Sequence, residues 1–141
     1  MLPSIVTKPV PELERRIVVE DLKLDMNYFD KNINFIVPKN FIYDGASIPR
    51  ALWSFVGTPY SCKYDTPGCI HDYLYSKSSD DIINSNNVKT TLDRYTADYI
   101  FRDLLCKNGV NTMLAYIMYF IVRCFGGLYY KQQYGMLTND D

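Results

Sequence analysis

The N-terminal third of the chain has the alternation of hydrophobic and polar residues that β-strands require. In residues 16–26 branched side chains are interleaved with charged ones, which predicts a strand with one solvated face. Residues 27–32 are predicted to form a turn, and residues 33–37 the returning strand. Residues 38–40 break this run before residues 41–43, so the pattern predicts a small antiparallel meander.

Helical spacing replaces this alternation in the second half of the chain. Residues 91–107 are predicted to be a helix with threonine caps at its start and an Asn-Gly stop after it. Arg94, Asp98 and Arg102 form a charged row on this helix, which places Asp98 at the border between core and polar face. A further helix is predicted over residues 111–125, and its apolar middle is too short to span a bilayer. We therefore expect that helix to be buried in the core, and no transmembrane segment.

A central helix is predicted over residues 66–76, with Thr66 as its cap and a proline at its first position. It carries His71, the only histidine of the protein. The helical repeat places His71 and Tyr75 on one face and displaces Asp72 by about 100° around the axis. One turn therefore combines an imidazole, a carboxylate and a phenol. The same pattern is also typical of a hydrogen-bonded histidine in a protein core.

The segments between these elements are predicted to be loops. Residues 44–50 form a structured loop at the end of a strand, and a short helix follows over residues 50–55. Residues 76–87 are polar and have no periodic apolar face, which predicts a polar connection. A mobile flap beside His71 is compatible with this pattern.

Together these elements predict an α+β fold, in which a short N-terminal antiparallel β-meander packs against about three α-helices. Residues 1–16 contain three prolines and are predicted to be an extended N-terminal arm. Residues 17–127 are predicted to be a single domain, and residues 128–141 a polar, tyrosine-bearing C-terminal tail.

Composition narrows the class of protein. Of the 141 residues 48% are hydrophobic and 15% aromatic, which is typical of a globular chain and not of a disordered one. The formal net charge of -1 predicts no nucleic-acid partner. The N-terminus does not resemble a secretion signal, so the four cysteines are expected to be reduced and mostly buried.

Three places in the sequence carry candidate chemistry. Asp98 is predicted to orient His71, whose second nitrogen would then act as general base on water. Asp72 and Asp44 are predicted to hold a divalent cation, Ca²⁺ or Mg²⁺, both of which prefer oxygen ligands. In the structural alternative Asp44 and Ser47 cap a turn, Asp98 pairs with an arginine of its own helix, and Asp72 is a cap or is solvated.

Four motifs in order resemble a family of small proteins of unknown function that tailed bacteriophages and prophages encode. They are D-G-A-S-x-P-R, from Asp44 to Arg50 with Trp53 nearby, H-D-x-L-Y at His71 to Tyr75, R-x-x-A-D-x-x-F from Arg94, and V-R-x-x-G-G over residues 122–127. This resemblance implies a phage origin and presence in a virion or in a late-gene setting. It implies no particular reaction.

The central helix alone is also similar to the H-D-x-x-Y helix of secreted phospholipases. That resemblance implies that His71 is the base, Asp72 a calcium ligand and Asp98 the orienting group. The chain lacks the glycine-rich calcium loop of those enzymes, and Leu74 stands where they have a paired cysteine.

Three functions are compatible with these observations. The first is a virion-associated structural protein of the tail, neck or head, made in the bacterial host cytoplasm. Its predicted partners are other virion proteins, contacted through the arm and the tail, and a homo-oligomer is left open. The second is a metal-assisted hydrolase that acts on a component of the host cell envelope. The third is a binding module that inhibits a host protein.

Overall fold

A computed structural model of the chain describes residues 7–10, 15–43, 62–76, 82–84, 89–90, 92–128 and 130. The predicted α+β fold is confirmed, because the described residues form two small antiparallel sheets and three helices. The strands are β1 (Thr7–Val10), β2 (Arg15–Val18), β3 (Leu22–Tyr28), β4 (Lys31–Val37), β5 (Ile42–Tyr43), β6 (Ile82–Asn84) and β7 (Lys89–Thr90). The helices are α1 (Cys62–Tyr75), α2 (Arg94–Lys107) and α3 (Thr112–Phe125), and a 3₁₀ turn (Gly126–Leu128) follows α3.

The hairpin of β3 and β4 is the longest strand pairing in the described residues. Tyr28 pairs with Lys31, and the two connecting residues, Phe29 and Asp30, have φ angles of 54° and 61°. Positive φ at both positions is typical of a type I′ turn, whose twist matches that of the flanking strands. The predicted hairpin is therefore confirmed, with a tighter turn than residues 27–32.

The prediction of one strand over residues 16–26 is wrong. The segment is divided between β2, which pairs with β1 and β5 in a three-stranded sheet, and β3, which belongs to a four-stranded sheet. The chain turns a corner between the two sheets, where the exposed carboxylate of Asp21 accepts a hydrogen bond of 2.7 Å from the backbone N–H of Lys39. β1 belongs to the predicted N-terminal arm, and it pairs with β2 of its own chain.

The prediction that residues 76–87 form only a polar connection is also wrong. β6 lies in this segment and extends the four-stranded sheet, whose strand order is β3-β4-β6-β7. The pairing of β6 with β4 uses backbone groups over a very short stretch, at Ile33 with Asn84 and Asn34 with Ile83. A strand of three residues is too short to produce a periodic pattern in the sequence.

The central helix begins at Cys62, and the predicted cap Thr66 lies buried inside it. The prediction of its start is therefore wrong. Pro67 lies within the helix, where it has no N–H to donate to the carbonyl of Lys63, four residues earlier. The side-chain amide of Asn108 donates to that carbonyl at 3.1 Å instead. A contact from a distant part of the chain thus satisfies the carbonyl group that Pro67 leaves without a helical partner.

The predicted ends of the other two helices agree better with the structure. α2 begins at Arg94 after Asp93, so the threonine cap is wrong, but it ends as predicted at Lys107, with Asn108 as its C-cap and Gly109 after it at a φ of 94°. The side chain of Asn111 accepts hydrogen bonds from two backbone N–H groups in the first turn of α3. It thereby satisfies donors that a helix start leaves without partners.

The core lies between the hairpin and helices α1 and α2, and a second cluster joins α2 to α3. The prediction that α3 is a buried core helix is wrong for most of its surface. In α3 only Ala115, Met118 and Val122 are buried, whereas Met113 and Phe120 are 73% and 63% exposed. None of the helices in the described ranges has the length and hydropathy of a membrane-spanning segment.

The cysteines whose side chains are described are free thiols. Cys69 is buried, Cys106 is half-buried and Cys124 is exposed. The prediction of mostly buried thiols is therefore correct only for Cys69 among these three.

Candidate functional site

The antiparallel packing of α1 and α2 brings the candidate residues together. The carbonyl of Lys63, near the start of α1, is bonded to Asn108 at the end of α2. His71 and Tyr75, near the end of α1, contact Asp98 in the second turn of α2. Because the two helices run in opposite directions, side chains that lie 27 and 23 residues apart in sequence meet at one point.

His71 and Tyr75 share one oxygen of the Asp98 carboxylate. His71 Nε2 lies 2.8 Å from Asp98 Oδ1, and the hydroxyl of Tyr75 donates to the same oxygen at 2.5 Å. All three side chains are buried, with exposed fractions of 2%, 3% and 0% for His71, Tyr75 and Asp98. The imidazole contacts the rings of Tyr75 and Phe101, at centroid distances of 4.2 and 4.6 Å. The ring is thus held by two aromatic neighbours and at one nitrogen.

Two arginines lie close to Oδ2, the other carboxylate oxygen of Asp98. Arg123, from the last turn of α3, donates to Oδ2 at 2.7 Å. Arg94, one turn before Asp98 on α2, lies 3.7 Å from the same oxygen. Arg94 also donates to the carbonyls of Val122 and Arg123, at 3.1 and 3.2 Å, and so ties the end of α3 to α2. Three helices therefore meet at one carboxylate.

The surroundings of Asp98 favour its ionised form. Burial acts to raise the pKa of Asp98, but hydrogen bonds from His71, Tyr75 and Arg123 outweigh it, and the pKa lies below its ordinary value. An ionised carboxylate can only accept hydrogen bonds, so His71 donates through Nε2. Among the described residues, Asp98 is the hydrogen-bond partner of the His71 imidazole, and it is bound through Nε2. The second nitrogen, Nδ1, can therefore accept a hydrogen bond from another group.

Tyr75 is fixed by the end of α3 as well as by Asp98. Burial and the hydrogen bond to Asp98 both raise the pKa of Tyr75, so it stays a neutral donor. A Cβ atom on Gly126 would lie 2.5 Å from its hydroxyl oxygen, closer than real Cβ contacts come. Glycine at this position therefore allows the backbone after α3 to approach the phenol.

Asp72 lies on the same turn as His71 and is 4% exposed. Burial and the negative charges of Asp72 and Asp65 raise the pKa of the Cys69 thiol, so Cys69 is not a reactive thiolate. Among the residues that the structure describes, no group of three or more His, Cys, Asp or Glu side chains is arranged to hold a metal ion.

The structure brings together His71, Tyr75, Arg94 and Asp98 of the predicted site residues. Asp98 was predicted at the border of the core, and this is wrong, because it is completely buried. The predicted charged row also fails at Arg102, whose guanidinium packs against the rings of three tyrosines. Outside the described residues lie Asp44, Ser47, Arg50 and Trp53, together with the predicted helix over residues 50–55.

Arg123 and Gly126 were missed as members of the site. Both belong to the motif V-R-x-x-G-G, which was noted in the sequence but was given no role there. A helix whose only charged residue comes in its last turn was the available signal. The partner of that charge, Asp98, could not be identified without knowing how α2 and α3 pack.

Comparison with known proteins places the chain in a family. Residues 20–122 match the family described as "Protein of unknown function (DUF1353)", and since this match covers more than half of the chain, the chain belongs to that family. Two similar proteins come from Sinorhizobium fredii (strain NBRC 101917 / NGR234), both described as uncharacterized. They are y4jT, 31% identical over 107 residues, and y4iH, 29% identical over 106 residues.

The matched segments cover most of this chain but only a smaller part of each relative. The matched segments cover 75% and 74% of this chain, but only 28% of y4jT and 39% of y4iH. The chain thus spans about a third of the length of the curated relatives it matches. No solved structure matches the chain.

Proposed function

We propose that this member of the DUF1353 family is a hydrolase in which His71 activates water and Asp98 orients the imidazole. The observation that carries the proposal is the buried hydrogen bond of 2.8 Å between His71 Nε2 and the ionised carboxylate of Asp98. A carboxylate that holds one nitrogen of a histidine fixes the tautomer and makes the other nitrogen an acceptor of protons. The proposed substrate is a component of the bacterial cell envelope.

The proposed reaction needs only groups that the chain supplies and a water molecule. Nδ1 of His71 takes a proton from water while the water oxygen attacks the electrophilic centre of the substrate. The imidazolium that forms is stabilised by Asp98 through Nε2–H. It then returns the proton from Nδ1 to the leaving group, which restores the neutral ring.

The other contacts of Asp98 support this role by fixing the geometry. Tyr75 donates to Oδ1 and Arg123 to Oδ2, so the carboxylate cannot rotate away from His71. The arginine also neutralises part of the charge of Asp98, which weakens the stabilisation of an imidazolium. Asp98 is therefore better suited to orient His71 than to strengthen it greatly as a base.

The proposal includes the binding of a divalent cation by Asp72, which the assays below test. The resemblance to the phospholipase helix supports Ca²⁺ there, with Asp44 as a further oxygen ligand. The described residues do not supply a set of three ligands around Asp72. No step of the proposed reaction is therefore assigned to the cation.

The test compares the wild-type chain with a His71→Gln variant. The amide nitrogen of glutamine can take the place of Nε2 and keep the bond to Asp98, whereas nothing replaces Nδ1. Both proteins are incubated with phospholipid vesicles, peptidoglycan and lipopolysaccharide, with Ca²⁺, with Mg²⁺ and with chelator. Released fatty acids, amino groups and reducing sugars are measured.

We expect one product to be released by the wild type and at least about a hundredfold more slowly by His71→Gln, which is the usual contribution of a general base. Unchanged thermal unfolding of the variant would show that the loss is chemical. Equal release by both proteins, or no release from any of the three substrates, would contradict the proposal.

A second candidate function, a virion-associated role in a tailed phage, is supported by the order of the four motifs and by β1. This strand lies at the edge of the three-stranded sheet and comes from the predicted N-terminal arm. A sheet edge can accept a strand of a neighbouring protein. Mass spectrometry of gradient-purified virions tests this role: we expect the chain in the particles, and its presence in the lysate but not in particles would contradict it.

A further inference from the structure

α3 presents an apolar surface to the outside of the protein. Met113, Tyr116, Ile117 and Phe120 are 73%, 45%, 43% and 63% exposed, and exposed Cys124 continues the same line of the helix. The helical repeat places all five within about a third of the circumference. We call these five residues the α3 outer face.

The α3 outer face is a contiguous apolar patch and not a set of scattered surface residues. At about 150–250 Å² for one aromatic side chain, the exposed fractions amount to an area on the order of 400 Å². A patch of this size compares with the largest patch on a typical monomer, and such a patch is often functional. The buried residues of α3 lie on its opposite side, so the outer face does not contribute to the core.

Guanidinium groups border the α3 outer face along the side that faces α2. Arg102 lies against Tyr116 and Tyr119, at 4.5 and 4.6 Å from the ring centroids. Arg123 is 30% exposed and Arg94 is 26% exposed, and among the described residues both lie against one carboxylate, that of Asp98. One negative charge thus faces two positive ones, and α3 itself contains no Asp or Glu. The border of the face is therefore positively charged.

We propose that the α3 outer face binds the surface of an anionic phospholipid bilayer. A helix that lies in a membrane interface combines aromatic and aliphatic residues on one side with arginine or lysine beside them. Tyr116 suits that position because its ring is apolar and its hydroxyl remains in contact with water. The arginines at the border contact lipid phosphates, which are planar acceptors that guanidinium groups bind well.

Charge favours this occupant over a second copy of the chain. In a two-fold dimer through α3, Arg102 and Arg123 of each copy would lie at the edge of the same interface. No carboxylate of α3 is present to pair with them. Like charges at an interface oppose association, whereas anionic headgroups supply the complementary charge.

The inference stands on this surface and does not depend on the hydrolytic function of His71. Its test is therefore separate from the activity assay. The full-length chain is sedimented with vesicles of phosphatidylglycerol and phosphatidylcholine, and with vesicles of phosphatidylcholine alone. Soluble glycerol phosphate serves as a competitor, to distinguish a lipid surface from a free phosphate.

The variants remove apolar area without touching the core. The double variant Met113→Ser, Phe120→Ser removes the two most exposed side chains, and Ile117→Ser is an independent second variant. The matched control is Ile36→Ser, because Ile36 is 45% exposed on β4 while its neighbours in that strand are buried on the opposite side of the sheet. Circular dichroism confirms that each variant is folded.

We expect the wild type to bind anionic vesicles about thirtyfold more tightly than neutral ones, because two arginines near a charged surface contribute about 1 kcal/mol each. The double variant should bind at least about tenfold more weakly, Ile117→Ser should bind more weakly, and Ile36→Ser and His71→Gln should bind like the wild type. Three results would overturn the inference: no binding to vesicles, equal binding by the double variant, or full competition by glycerol phosphate. A wild-type dimer that the double variant abolishes would assign the face to a second copy instead.

Discussion

Replacement of Gly126 by alanine tests whether the close approach of the backbone after α3 to Tyr75 holds the site together. The new Cβ would lie 2.5 Å from the hydroxyl oxygen of Tyr75, 3.1 Å from Cε2 and 3.2 Å from Cζ. The ring has little freedom to move, because it is 3% exposed and contacts the rings of His71 and Tyr130. Either the ring or the helix end must therefore shift.

The magnitude follows from the cost of inserting a methyl group into a packed interior. We expect Gly126→Ala to lower the free energy of unfolding by about 1–3 kcal/mol. Gly127→Ala is the matched control, because the nearest atom to its Cβ is Cζ of Arg94 at 3.7 Å, an ordinary contact. That variant should differ from the wild type by less than about 1 kcal/mol.

A double-mutant cycle tests whether the hydroxyl oxygen of Tyr75 is the atom that the new methyl group at position 126 meets. Tyr75→Phe removes the hydroxyl oxygen, and with it the hydrogen bond to Asp98, at a cost of about 1.5–3 kcal/mol. In the Tyr75→Phe background, Gly126→Ala should cost roughly 1 kcal/mol less than it does alone. Urea unfolding followed by far-ultraviolet circular dichroism measures all four proteins, and equal m-values confirm that the free energies can be compared.

Two results would refute this reasoning. If Gly126→Ala and Gly127→Ala were equally mild, the contact with Tyr75 would not be rigid. If the two substitutions were additive within about 0.5 kcal/mol, the Tyr75 hydroxyl would not be the group that the new methyl meets.

Acid should destabilise the protein through Asp98: burial raises its pKa, but three hydrogen bonds outweigh this and hold the pKa below the ordinary value of 3.8. The stability contributed by Asp98 is therefore fully present above that ordinary value and is lost as the pH falls through the lower folded-state pKa. Urea midpoints from about pH 7 to about pH 2.5 measure this loss, and the Asp98→Asn variant should not show it. Asn108→Ala removes the donor to the Lys63 carbonyl that Pro67 leaves unpaired, and should cost about 0.5–1.5 kcal/mol in urea unfolding. Asn111→Ala removes the cap of α3 and should lower the unfolding free energy by about 1 kcal/mol in the same assay.

Local signals explain which parts of the fold could be predicted from the sequence. The hairpin of β3 and β4 and the end of α2 depend on neighbouring residues, and both were predicted. The start of α1 was not, because a proline normally belongs in the first turn of a helix. Inside α1 the Lys63 carbonyl that Pro67 leaves without a helical donor accepts a hydrogen bond from Asn108, 45 residues away. Such a compensation cannot be recognised from the local pattern.

The candidate site divides in the same way. Helical spacing placed His71 and Tyr75 on one face, and a contact of Asp98 with His71 was predicted; the antiparallel packing of α1 and α2 brings Asp98 to both residues. The burial of Asp98 could not be derived, because its carboxylate is shielded by Arg123 from a third helix. The amphipathic character of α3 was missed for a related reason, since an unbroken apolar run gives no sign of which side faces the core.

Asp98 ties any chemistry at this site to the stability of the fold. Its two oxygens accept hydrogen bonds from α1, through His71 and Tyr75, and from α3, through Arg123. Substitution of Asp98 therefore removes a contact among three helices together with the partner of the imidazole, and loss of activity in such a variant would not distinguish the two effects. His71→Gln makes the distinction, because the amide keeps a donor near Oδ1 while Nδ1 is lost. Lost hydrolysis with unchanged unfolding would assign the chemistry to the imidazole, whereas lowered stability without any activity to lose would assign the cluster to the architecture of the three helices.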